Sequence, residues 1–113
     1  MANVELQYLT HPQFTWVHAV KAVKDGSTVG SVMITEKRDG SIYLSCFSVN
    51  EKFRNQGIGR KILQFTKSKY REKKISLDTN KNYQAAYHLY LSERFKVTKD
   101  GKCYVKMGFE PNK

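Results

Sequence analysis

The chain has 113 residues, of which 40% are hydrophobic and 12% aromatic, enough for one packed core and too apolar for a disordered tail. Lys and Arg number 20 against 10 Asp and Glu, a formal net charge of +10, which points to polyanionic ligands: a phosphate-bearing cofactor, a nucleic acid or an acidic protein face. Short apolar runs, no apolar leader in MANVELQYLT and only two cysteines, Cys46 and Cys103, argue against a membrane span, a signal peptide, a knottin or a zinc finger, and favour a reducing cytoplasm.

No repeat, low-complexity stretch or Pro/Ser-rich linker divides residues 1–113, so one domain is expected. Val4 to Leu9 reads as a first strand. Trp16 to Val23, rich in β-branched residues, reads as a second. Turn chemistry at Asp25-Gly26 leads to a third, Thr28 to Glu36. Asp39-Gly40 leads to a fourth, Ser41 to Val49. From Ile58 the apolar positions change period, with Ile62, Phe65 and Tyr70 following at helical spacing. Lys74 to Thr79 alternates like a strand, and Ala86, Leu89 and Tyr90 share a helix face. Phe95 to Thr98 and Cys103 to Met107 close the chain as a hairpin around Asp100-Gly101. The expected order is ββββαβαββ, an α+β domain around one mixed sheet.

The chemistry concentrates between the fourth strand and the first helix, in Val49-Asn50-Glu51-Lys52-Phe53-Arg54-Asn55-Gln56-Gly57-Ile58-Gly59-Arg60. The first turn of a helix carries unpaired N–H groups and a partial positive charge. Glycines let backbone approach a ligand, so strand, glycine loop and helix N-terminus make a phosphate cradle. Arg54 and Arg60 add full charges, and a side chain at Gly57 or Gly59 is expected to block the phosphate. The Walker pattern fails on spacing. The dinucleotide fingerprint fails because Ile62 stands where its third glycine belongs and a meander precedes the loop.

Arg54-Asn55-Gln56-Gly57-Ile58-Gly59 matches [QR]-x-x-G-x-[GA], and in this it resembles the pyrophosphate loop of the GCN5-related N-acetyltransferases (GNAT). Val49 keeps the register of the wider family form, while Glu51 stands where proline is usual. Downstream, Ala86, Leu89, Tyr90 and Phe95 fall in register with the family's second helix pattern. Tyr83 replaces its asparagine, with Asn82 one residue early, and Arg94 replaces the glycine before Phe95. Only a few residues from His11 separate the first two strands, where the family usually carries two helices. The resemblance implies a short form with an open acceptor side.

It also implies a function. Acetyl-CoA would lie where the fourth and fifth strands splay. The backbone of Phe47, Ser48 and Val49 would pair with its pantetheine arm, and the N–H groups of Asn55, Gln56, Gly57, Ile58, Gly59 and Arg60 would hold its pyrophosphate. Asn82 and Ala86 would complete the cofactor contacts. An acceptor amine would attack the thioester directly, a fourth-strand N–H would steady the oxyanion, and Tyr90 would protonate the leaving thiolate. No metal is required. No acid lies on the fourth strand as general base; Glu36, Glu51 or a water relay remain open. The acceptor would be a large or acidic amine bearer, such as a protein lysine or an aminoacyl-tRNA, and a homodimer could cover the short front edge.

Plainer readings stand beside these. Gly57 and Gly59 also suit a simple helix-start turn, and Tyr90 suits a core aromatic with its hydroxyl at the rim. Cys46 and Cys103 are expected to be buried small hydrophobes. His11, His18 and His88 share no metal-ligand spacing. The charge also fits a nucleic-acid-binding module, although no RNP1 pattern is present. The departures at Tyr83 and Arg94 also fit a catalytically silent relative that binds CoA or a protein.

Overall fold

The structure, a computed structural model, describes residues 4–111. Seven strands form: β1 (Glu5–Thr10), β2 (Val17–Lys24), β3 (Ser27–Glu36), β4 (Ile42–Val49), β5 (Ile75–Asn80), β6 (Lys96–Asp100) and β7 (Tyr104–Phe109). Helix α1 (Ile58–Lys69) links β4 to β5, and α2 (Gln84–Ser92) links β5 to β6. The order ββββαβαββ is the one the patterning predicts. A 3-10 turn at Glu51–Phe53 adds to it.

All strands join one sheet in the order β1-β2-β3-β4-β5-β7-β6. Only β4 and β5 pair in parallel, because α1 supplies the crossover that a parallel pair requires. Register brings the buried residues into rows: Ile34, Leu44, Leu77 and Met107 are successive cross-strand partners. Ile58, Ile62 and Leu63 of α1 and Tyr90 of α2 cover that face and close one core with Phe95.

Among the described residues, the other face carries no helix. Its rows read Leu9, Ala19, Met33, Ser45 and Val17, Thr35, Tyr43, Ser76, and Leu9, Met33, Phe14 and Trp16 are exposed there and on the adjoining loop. A tight connection from His11 to Trp16 makes β1 and β2 direct antiparallel neighbours. Among the described residues, no helix is long and apolar enough to cross a membrane.

One irregularity shapes the centre of the sheet. Met33 pairs with Ser45 and Ser31 with Ser48, so Cys46 and Phe47 oppose the single residue Val32. Cys46 takes a left-handed φ of 53°. This is a β-bulge, which bends the strand that carries it. Pairing of β4 with β5 ends at Leu44 and Leu77, whereas β5 continues with β7 through Asn80. Beyond that point β4 and β5 fork. One expectation is corrected: Cys46 is exposed on the bulge, and Cys103 is exposed in the turn between β6 and β7, outside either strand.

Candidate functional site

The fork leaves the β5-facing edge of Ser45 to Val49 without a strand partner, so backbone N–H and C=O groups of Phe47, Ser48 and Val49 line it. An extended ligand can restore what the missing strand would have supplied.

At its wide end begins the glycine loop. Asn50 caps the 3-10 turn by accepting the Lys52 N–H at 3.0 Å. Arg54 then turns back, its Nε donating to the Val49 carbonyl at 3.3 Å. Asn55 and Gly57 follow with φ of 63° and 78°, and alternating left-handed residues of this kind turn successive amides toward one concavity. Among the described residues, no protein acceptor takes the N–H groups of Asn55 to Arg60. The first turn of α1 has no acid and no side-chain cap, so its partial positive charge is left for an anion.

The two glycines act differently. A Cβ on Gly57 would meet nothing within 4 Å; its requirement is the positive φ. A Cβ on Gly59 would stand 3.1 Å from both Phe47 Cζ and Leu89 Cδ2. Gly59 is therefore needed for the close approach of α1 to β4 and α2.

Arg60 is likewise drawn inward. Its Nη1 donates to Oε2 of the buried Glu93 at 2.5 Å. Lys67 approaches the other oxygen at 3.4 Å and donates to the Glu93 carbonyl at 2.8 Å. The guanidinium expected beside the phosphate thus fastens α1 to the end of α2. Glu93 carried no signal in the sequence, because its partners lie 33 and 26 residues away.

Tyr90 is 5% exposed. Its ring lies 5.7 Å from the Phe47 ring and 5.8 Å from Phe95, so it packs behind the fork. Among the described residues none hydrogen-bonds its hydroxyl. Every fully enclosed side-chain oxygen or nitrogen of the described residues has a partner, so this oxygen reaches open space. Burial pushes the phenol up to about 12, and it remains protonated across the neutral range. The ring is core and the hydroxyl is at the rim.

The remaining candidates are spread out. Asn82 lies in the exposed turn before α2, its N–H bonded to Asn80 Oδ1 at 2.8 Å. Ala86 is half-buried against the core. Tyr83, 66% exposed, opens α2. Arg94 takes a φ of 72°, the conformation for which the family uses glycine. Glu36 pairs with His18 and lies opposite Ile42. That is the far end of β4 from the loop, about 20 Å away at the rise of a strand. Glu51 is exposed on the 3-10 turn.

The sequence matches the profile of the acetyltransferase (GNAT) family over residues 2–95. The chain belongs to this family. A search of curated proteins found no match. Solved structures share the fold at low identity. The IAA acetyltransferase from Bacillus cereus ATCC 14579 superposes with a TM-score of 0.82 at 15% identity, over 96% of this chain and 99% of that one. A GNAT family acetyltransferase from Elizabethkingia anophelis with acetyl-CoA bound gives 0.79 at 16%, over 97% and 99%. The ribosomal-protein-S18-alanine N-acetyltransferase from Escherichia coli gives 0.74 at 19%, over 86% and 70%. The GNAT profile and the acetyl-CoA-bound neighbour support the use of acetyl-CoA.

Proposed function

We propose that this protein is an acetyl-CoA-dependent N-acetyltransferase that acts on a primary amine by direct attack. The observation that carries the reading is the set of amides from Asn55 to Arg60, without an acceptor among the described residues, at the open end of the β4–β5 fork, with the Tyr90 hydroxyl behind it. The amides and the helix N-terminus would take the pyrophosphate, and the free edge of Phe47 to Val49 would pair with the pantetheine arm. Bound there, acetyl-CoA supplies an activated acyl group. A β4 N–H would steady charge on its carbonyl oxygen, and Tyr90 would return a proton to the departing sulfur. A phenol near 12 holds its proton more tightly than a thiol near about 8.5, so the transfer is uphill; Tyr90 would act by donating a hydrogen bond to the sulfur as its negative charge develops, with solvent restoring any proton it gives up.

The acceptor is proposed to be large, and acidic or nucleic-acid-linked: a protein lysine or the amine of an aminoacyl-tRNA in the cytoplasm. The +10 charge and the uncovered sheet face support this, since both suit a bulky anionic partner. The test supplies acetyl-CoA with a lysine-bearing acidic peptide and with an aminoacyl-tRNA, then follows thiol release and the acetyl mass increment. Transfer to either supports the reading. A CoA-dependent rise in Tm with no product would mean a silent relative. Oligonucleotide binding at physiological salt with no response to CoA would mean a nucleic-acid module.

A further inference from the structure

The fork has two sides. Phe47, Tyr90 and the two helices close one of them, and the other opens on the uncovered face of the sheet. On that face the Tyr43 hydroxyl donates to Oδ2 of Asp78 at 2.8 Å. Asp78 is the first β5 residue beyond the last β4 pair, Leu44 with Leu77, so its carboxylate stands at the crotch of the fork. It is the only acid on either strand.

Its surroundings leave it available. Glu36, Glu93, Asp100 and Glu110 are engaged by His18, by Arg60 and Lys67, by Lys81 and by Lys74. Asp78 forms no ion pair among the described residues, although Lys106 is its cross-strand neighbour on β7. The hydrogen bond to Asp78, then burial, raises the Tyr43 pKa, so this phenol stays a donor and orients the carboxylate. On the same face Met33, 41% exposed, pairs with Ser45 beside the fork and offers an apolar surface. An exposed carboxylate, oriented by one neutral donor and lacking a cation, suits a cation that arrives from outside.

We infer that Asp78, positioned by Tyr43, binds the ammonium of the acceptor on the open face of the fork and takes the proton that this amine must lose. The inference rests on the transferase reading. Asp78 accepts one proton from the ammonium and passes it to solvent. The freed nitrogen lone pair forms the N–C bond to the acetyl carbon as the C–S bond breaks. The nitrogen's second proton is lost to solvent, and the thiolate receives one from Tyr90, which regains a proton from solvent. Met33 fits a primary amine on an unbranched alkyl stem.

The test measures binding of pentylamine, with pentanol as its uncharged control, to CoA-saturated protein. Acetyl transfer to lysine amide is followed in parallel. Wild type is expected to prefer the amine by about tenfold, the scale of a hydrogen bond to a charged group. Asp78→Asn removes the preference, and Tyr43→Phe weakens it by about threefold, with the CoA-induced Tm rise unchanged in both. In Asp78→Asn, kcat/KM for lysine amide falls at neutral pH and recovers as pH approaches the amine's own pKa, where solution supplies the free base. Equal amine preference in wild type and Asp78→Asn overturns the site. A preference that depends on Asp78, in a protein that transfers no acetyl group, upholds the amine site and removes the transferase reading instead.

Discussion

Arg60 on the first turn of α1 and Glu93 at the end of α2 meet at 2.5 Å, and the pair ties the anion cradle to the helix that carries Tyr90. Glu93 is buried while the Arg60 side chain is 45% exposed, so solvent screens part of the attraction. Glu93→Gln leaves Arg60 and the half-buried Lys67 facing a neutral amide. The expected loss is about 2 kcal/mol, below the full cost of breaking a wholly buried pair. Arg60→Ala should cost about 1 kcal/mol, since Lys67 still holds the carboxylate. Urea unfolding of both variants measures this, and an equal effect would contradict the asymmetry.

Gly57 and Gly59 should fail for different reasons. Gly57→Ala places a Cβ in open space at a φ of 78°, a strain of about 1 kcal/mol. That strain relaxes by moving the cradle, so the CoA-induced Tm rise should shrink more than stability does. Gly59→Val wedges Phe47 and Leu89 apart and should cost about 1–3 kcal/mol of stability. Melting curves with and without CoA separate the two. A Gly59→Val protein of native stability would contradict the packing role.

Tyr90→Phe keeps the ring and removes the hydroxyl. As thiolate acid, Tyr90 should account for roughly 10²–10⁴-fold in kcat, with CoA affinity nearly unchanged. Tyr87→Phe is the control, because Tyr87 packs against the core. The raised pKa gives a second readout. The folded pKa, about 12, exceeds the unfolded value of about 10. Its stabilisation is whole below pH 10 and is lost as pH rises toward 12, because the unfolded chain releases this proton first. Tyr90→Phe should flatten the fall of stability between those values. An unchanged slope would place the hydroxyl in water.

Arg94→Gly should stabilise the protein. Arg94 adopts φ 72°, where any side chain costs about 1–2 kcal/mol and glycine costs less but loses more entropy on folding. A net gain of about 0.5–1 kcal/mol is expected from denaturant unfolding. Arg94→Ala, which keeps a Cβ, should not show it.

Salt separates the two substrates. Acceptor KM should climb with ionic strength if exposed charge draws it in, because such attraction is screened beyond about 8 Å near 0.15 M. The KM for acetyl-CoA should climb less, since backbone amides at a concave loop are its proposed partners. Equal insensitivity would confine the +10 charge to solubility.

The order of elements, the turns at Asp25-Gly26 and Asp39-Gly40, and the strand–loop–helix junction at Gly57 were all legible in the chain. Each rests on residues within a few positions of one another, and periodicity and turn chemistry act over that range. Tertiary structure decided the rest. Cys46 reads as one more apolar residue in SIYLSCFSV, yet pairing with β3 makes it the bulge that turns β4 from β5. Gly59 reads as a phosphate glycine, and only the approach of Leu89 and Phe47 shows what its missing Cβ provides. Arg60 reads as a free cation until α2 brings Glu93 to it across 33 residues. Tyr43 meets Asp78 across 35, through a parallel pairing that α1 must first make possible. Such contacts depend on which distant segments pack together, and no local pattern in the sequence encodes that choice.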